Sequence, residues 1–87
     1  MRGEYRVEIL PSARRELERL QRPLSTRVAE AIDRLSTDPR PRGCGKLTDT
    51  DSDYRIRIGD YRILYEVIDD KKLVSVYRIR HRSRAYG

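Results

Sequence analysis

The sequence has no phenylalanine and no tryptophan, and it has one cysteine and one histidine. Without the two largest apolar aromatics, Leu, Ile, Val and Tyr must fill the core. The single cysteine, Cys44, excludes an internal disulfide, and in its loop setting it reads as an inert thiol. One His and one Cys cannot supply a zinc site. No apolar run approaches the ~20 residues that a membrane-spanning helix needs. The opening MRGEYRVEIL lacks the apolar stretch and small-residue cleavage site of a secretory leader. The expectation is therefore a cytoplasmic protein with no membrane partner. Gly43 and Gly45 lack the rest of a phosphate-binding P-loop. Asp49, Asp51 and Asp53 are spaced like the start of a calcium loop, but Tyr54 stands where that loop needs Gly and Asp60 where it needs Glu. No metal and no cofactor are expected.

What is abundant is arginine. The 87 residues carry a net charge of +6, and of the 20 basic side chains 17 are Arg. The charge is unevenly placed. Residues 1–54 hold 11 basic and 10 acidic side chains, whereas residues 55–87 hold 9 and 4. Arg offers a planar fork that matches phosphate and carboxylate, and it stacks on bases. A basic half of this kind points to nucleic acid or an acidic protein. Surface charge kept only for solubility would be spread more evenly.

The length fits one domain, residues 1–87, with one modest core. YRVEIL alternates, with Tyr5, Val7 and Ile9 on one side, and predicts a strand that Pro11 stops. Ser12 then stands where a helix N-cap belongs. Ala13, Leu17 and Leu20 follow at helical spacing, with Arg14, Arg15, Glu16, Glu18 and Arg19 covering the outside. Pro23 suits the first turn of a second helix, whose stripe is Leu24, Val28, Ala31, Ile32 and Leu35. Ser36 to Asp53 reads as loop, since two prolines, two glycines and many short polar residues oppose a regular element. Strands follow at about 54–59, 61–68 and 72–80. The expectation is an α+β fold of order β-α-α-β-β-β: a mainly antiparallel four-stranded sheet with a helical hairpin packed on one face.

The chemistry gathers in YRIRIGDYRILYEV, residues 54–67. Gly59-Asp60 is a two-residue hairpin connection with Gly first, as a type II′ turn prefers. That loop pairs Ile58 with Tyr61, Arg57 with Arg62 and Ile56 with Ile63. Tyr54, Ile56, Ile58, Tyr61, Ile63 and Tyr65 then share the core face. Arg55, Arg57 and Arg62 share the other, with Leu64. Like charges directly opposed across strands destabilise a sheet by a few tenths to ~1 kcal/mol. A sequence selected for stability alone would place Glu or Thr at one of these positions, and a bound polyanion removes the repulsion. The plain alternative is that both side chains snorkel apart into water.

The C-terminal YRIRHRSRAYG packs Arg78, Arg80, His81, Arg82, Arg84 and Tyr86 into eleven residues. Arginines ending in an aromatic offer phosphate contacts and a platform for an unpaired base. The face occupied by Arg78 and Arg80 is left open, because the Asp69–Lys72 turn allows more than one length. His81 has the one side chain whose ordinary pKa lies near neutrality. It reads as a substrate contact or orienting group before a general base.

On RIRIGDYRILYEV at 55–67, HRSRAY at 81–86, ARRELERL in the first helix and Lys46-Leu47 ahead of the hairpin, the whole chain resembles a RelE-type toxin of the RelE/ParE superfamily of type II toxin–antitoxin systems. The resemblance implies a metal-independent endoribonuclease that enters the ribosomal A site, cuts the mRNA there and is held in check by a cognate acidic antitoxin. It places Arg62, Arg82 and Tyr86 in catalysis, and Arg55 and Arg57 on the RNA backbone. Arg80, His81 and Arg84 join them as RNA or phosphate contacts. Some well-known members have Lys at the positions of Arg55 and Arg57, and Arg, unlike Lys, cannot give up a proton. Many members continue past the tyrosine as a helix; this sequence stops at Gly87, so a site without that helix is expected. Two other readings stay open: a ParE-like inhibitor of DNA gyrase that is not a nuclease, and a non-catalytic RNA-binding module. Fold does not separate them. The Arg62, Arg82 and Tyr86 set does, since a gyrase inhibitor has no need of it.

Overall fold

The computed structural model describes residues 4–47 and 52–84, and of Arg84 the backbone. The order is β1 (Arg6–Ile9), α1 (Pro11–Glu18), α2 (Leu24–Arg34), β2 (Gly45–Lys46), β3 (Asp53–Ile58), β4 (Tyr61–Ile68) and β5 (Leu73–His81). The strands form one sheet in the order β1-β5-β4-β3-β2. β1 runs parallel to β5, and the other pairings are antiparallel.

The α+β class and the helical hairpin are as expected, but the sheet has five strands rather than four. The extra one is β2, inside the segment read as loop, where Gly45 pairs with Arg55 and Lys46 with Tyr54. Two residues make too short a run for periodicity to register. Gly45 also serves a packing purpose. A Cβ on it would lie 2.8 Å from the Arg55 guanidinium carbon, so the absent side chain is what lets that guanidinium lie across β2. At the hairpin turn Gly59 takes φ +59°, a region that costs Gly nothing.

The core lies between the helices and one sheet face. Ala13 of α1 and Val28, Ala31, Ile32 and Leu35 of the second helical stripe meet Ile63, Tyr65, Val67, Val74, Val76 and Ile79. Tyr54, Ile56, Ile58 and Tyr61 pack around it half-buried, as the alternation predicts. Each large side chain so buried contributes about 1.5–3 kcal/mol, and Tyr65, with no exposure, is the largest. Its hydroxyl donates to the Pro39 carbonyl at 2.9 Å. Burial pushes its pKa up, helped by the neighbouring Cys44.

α1 starts two residues earlier than the cap reading placed it. Leu10 is the N-cap and Pro11 the first helical residue, a position where the missing N–H of proline costs nothing. Ser12 does not cap. Its hydroxyl donates to the Tyr77 carbonyl at 2.8 Å. That contact belongs to a larger arrangement. β1 covers the edge of β5 from Leu73 to Val76, and beyond Val76 the edge passes to α1. There the Ile79 N–H donates to Glu16 Oε1 at 2.8 Å. The side chains of α1 thus take up edge groups that no strand pairs.

Candidate functional site: an arginine face

The hairpin register is as expected: Ile58 pairs with Tyr61, Arg57 with Arg62 and Ile56 with Ile63. A β-bulge then decides the neighbouring strand. From Ile68↔Leu73 to Tyr65↔Val76 the β4–β5 ladder is regular, and it resumes at Leu64↔Arg78 with Tyr77 as the extra residue. Without that residue, Arg78 and Arg80 would stand opposite Ile63 and Tyr61, on the core face. With it, Arg80 stands opposite Arg62, Arg78 opposite Leu64, and Ile79 enters the core at 2 % exposure. A bulge of this kind re-aims the side chains beyond it.

Two rows result on the face away from the helices. One is Arg57–Arg62–Arg80, across three adjacent strands. The other is Arg55–Leu64–Arg78. Leu64 is 6 % exposed yet lies outside the core cluster; alkyl stems of flanking arginines shield apolar surface in this way. Paired Cα atoms across a sheet are about 4.5–5.5 Å apart, so three like charges rise from one short row. Two unit charges 4 Å apart repel by about 1 kcal/mol even in bulk water. Arg57 is exposed, Arg62 and Arg80 are half-buried, and the Nε of Arg62 is closed off from solvent.

The face changes sign along its length. The next row is Asp53, Glu66 and Ser75. The Ser52 hydroxyl donates to Glu66 at 3.2 Å. Tyr77 joins this end: burial first, then the Asp53 carboxylate, raises its pKa to about 12. The basic patch is therefore confined to the hairpin end of the face.

The tail returns to that end. The Arg82 N–H donates to the Asp60 carbonyl at 2.7 Å, and Arg82–Arg84 form a 3-10 turn. Arg82 is exposed beside the hairpin turn. His81 goes elsewhere. It pairs with Tyr61, and the rings meet edge to face at 5.4 Å, which puts the imidazole on the helix side. Its Nδ1 lies 3.0 Å from the Ser83 hydroxyl. Arg55, Arg57, Arg62 and Arg80 thus share one surface with Arg82 at its end, while His81 faces a cleft of about 640 Å³ whose lining includes Glu16, Tyr61, Arg80 and Ser83. Tyr86 lies outside the described residues, as does the side chain of Arg84 and, at 48–51, most of the segment resembling a calcium loop. Among the described residues no group of three His, Cys, Asp or Glu is placed to hold a metal ion, and no helix is long and apolar enough to cross a membrane.

Sequence reasoning missed Glu16. Its helical position assigns it to the solvent side, yet its carboxylate reaches past the edge of β5. Besides the Ile79 N–H, it lies 3.4 Å from Arg78 Nη1 and 3.5 Å from Arg80 Nε. No sequence signal marks it: the β5 edge it reaches is open only because a four-residue β1 pairs with β5 as far as Val76.

Known proteins share this architecture. A family model described as the ParE toxin of type II toxin–antitoxin systems (parDE) matches residues 7–86. The toxin RelG of Mycobacterium tuberculosis is 31% identical over 83 residues, covering 94% of this chain and 95% of its own. RelE of Pyrococcus horikoshii, solved in complex with RelB, superposes with a TM-score of 0.83 at 33% identity, covering 94% of this chain and 99% of that one. The isolated RelE toxin of Escherichia coli, at 24% identity and a TM-score of 0.80 over 94% of this chain and 88% of its own, shares the fold. On a match that runs through both helices, the arginine hairpin and the returning tail, this chain belongs to the ParE toxin family of the RelE/ParE superfamily of type II toxin–antitoxin systems.

Proposed function

We propose that this toxin is a ribosome-dependent mRNA endoribonuclease acting in the A site, in the cytoplasm. The observation that carries the reading is the Arg57–Arg62–Arg80 row, with Arg82 returning beside it. Such a row sets three guanidinium groups side by side on one face, a donor set that matches a phosphodiester. The reaction is attack of an RNA 2′-oxygen on its own adjacent phosphorus. The new O–P bond closes a 2′,3′-cyclic phosphate as the bond to the 5′-oxygen breaks. One proton leaves the 2′-hydroxyl and one reaches the departing 5′-oxygen.

Arg62 and Arg82 hold the scissile phosphate and the extra charge of the pentacoordinate state. Preorganised donors of this kind are worth about 3–4 kcal/mol each in well-studied enzymes. Arg55 and Arg57 grip the backbone, and Arg80 and Arg84 extend the anionic track. Tyr86 stacks on a base or takes the proton. His81 stands on the helix side of the sheet, so its part is to orient a neighbouring nucleotide. The ribosome supplies the alignment that an open face does not.

Homologous RelE chains were solved with RelB. For this chain the corresponding partner is a cognate acidic antitoxin that covers the arginine face, with binding that weakens as salt rises. Primer extension on mRNA in translating ribosomes tests the reading. Cuts within the A-site codon, unaffected by EDTA at levels that leave ribosomes intact, are expected. Equally rapid cutting of naked RNA at the same sites would exclude ribosome dependence. A second reading stays open beside it: a ParE-like inhibitor of DNA gyrase, of the toxin family whose model matches this chain. Loss of supercoiling by purified gyrase, with mRNA intact, would put that reading in place of the first.

A further inference from the structure

We infer that Glu16 is a positioning residue that sets the Arg80 guanidinium beside Arg62 by tying it to the backbone of its own strand. The inference rests on the nuclease reading of the arginine face. Glu16 bridges backbone and side chains at one spot. Oε1 accepts the Ile79 N–H at 2.8 Å, and Oε2 lies 3.5 Å from Arg80 Nε and 3.4 Å from Arg78 Nη1. The Glu16 side chain is 21 % exposed and that of Arg80 28 %. Both are therefore partly shielded, where a carboxylate–guanidinium contact is screened less than at an open surface.

The geometry gives this contact a direction. The backbone bond fixes one carboxylate oxygen to β5 between Arg78 and Arg80. The second oxygen then engages the Nε side of Arg80, which constrains the aim of its outer fork. Arg62, opposite Arg80 in the ladder, is the neighbour that a correctly aimed fork complements when a phosphate lies across the two. A carboxylate beside a cationic patch also lowers its affinity for any polyanion. Glu16 accordingly trades bulk attraction for orientation, which improves turnover and not binding.

Glu16→Gln separates the two. The amide keeps an oxygen for the Ile79 N–H, so the melting temperature should hold. With the counter-charge removed, Arg78 and Arg80 engage phosphates on their own. Binding to a single-stranded RNA oligonucleotide should tighten, and its salt slope should steepen by about 0.7 for each phosphate gained. Single-turnover cleavage on saturated ribosomes should fall at least tenfold. In a double-mutant cycle, Glu16→Gln should add nothing to Arg80→Gln, whereas a purely structural Glu16 would give additive losses. If Glu16→Gln does not fold, Arg80→Lys replaces it: charge stays, the Nε fork goes, and cleavage should fall with RNA affinity kept. Unchanged cleavage in a folded Glu16→Gln or Arg80→Lys protein overturns the inference, as does an unaltered salt slope in Glu16→Gln. Failure of the wild-type toxin to cut ribosomal mRNA overturns the nuclease reading instead, and the oligonucleotide arm still decides whether Glu16 restrains Arg80.

Discussion

Arg40 and Arg62 are one residue type in two parts of a small sheet, and their neighbours differ: carboxylate and hydroxyl for Arg40, other arginines in the ladder for Arg62. Arg40 leaves the loop after α2 and meets groups that complete it. Its Nη2 lies 2.8 Å from Asp69 Oδ2, and its Nε donates to the Tyr54 hydroxyl at 2.9 Å. Asp69 also accepts from the Tyr5 hydroxyl at 2.6 Å. The network joins the N-terminal segment, the loop, β3 and the β4–β5 turn. Asp69 holds the Arg40 pKa above its ordinary value, and the Arg40 and Tyr5 hydrogen bonds hold the Asp69 carboxyl below its own. Arg62 stands between Arg57 and Arg80. The first arrangement satisfies arginine within the fold. The second ranks arginines in a row, which the proposed function assigns to an RNA phosphate. The same side chain is a structural clamp in one place and, on the proposed function, a phosphate contact in the other.

The largest expected effect breaks the second arrangement. Arg62→Ala should abolish growth arrest and lower single-turnover mRNA cleavage by at least about a hundredfold, the loss of one transition-state donor. Ribosome binding should stay near normal. The core face is untouched and the repulsion with Arg57 is relieved, so thermal melting should hold or rise slightly. Full toxicity together with gyrase inhibition would overturn the comparison.

Arg40→Ala is the converse case. Cleavage should persist, while the melting temperature should fall by roughly 4–8 °C, the shift that loss of one or two polar contacts gives a domain of this size. The same network predicts an acid limb. Since the Asp69 pKa is lowered on folding, its contribution is present above the ordinary carboxylate value and is lost as pH falls through the lowered one. Melting curves taken through that acid range should show a smaller limb in Arg40→Ala, the Tyr5 hydrogen bond remaining.

At the alkaline end the sign reverses. Burial raises Tyr77 from 10.0 to about 12, so its contribution is intact below pH 10.0 and is lost as pH rises toward about 12. Tyr77→Phe should reduce that part of the melting profile, with the buried Tyr65 still contributing to it. The smallest effect belongs to Gly45→Ala. Its methyl group would displace the Arg55 guanidinium, the far end of a flexible side chain. Melting should barely change, and RNA affinity should drop by less than about tenfold, consistent with one disturbed phosphate contact.

Much was legible in the sequence because it depended on local spacing. Alternation placed Val7 and Ile9 on the core face, and helical spacing placed Val28, Ala31, Ile32 and Leu35 there. A two-residue loop with Gly first fixed Arg57 opposite Arg62, because hairpin register follows from turn length and not from anything distant. Three features were not local. β2 is two residues long and exists only as a partner for β3. Glu16 sits at a helical position that any pattern assigns to solvent, and only the short β1 exposes the edge it reaches. The bulge at Tyr77 carries no compositional mark, yet it decides whether Arg78 and Arg80 enter the core or join the arginine face. A strand's alternation has a period of two, so one extra residue inverts everything beyond it. The sequence by itself determined the two helices, the four longer strands, the hairpin register and the excess of arginine. Only the tertiary structure, by packing Ile79 under α1, decided which side of the sheet the last arginines occupy: exchanging a buried isoleucine for a buried arginine would have put an unpaired charge in the core.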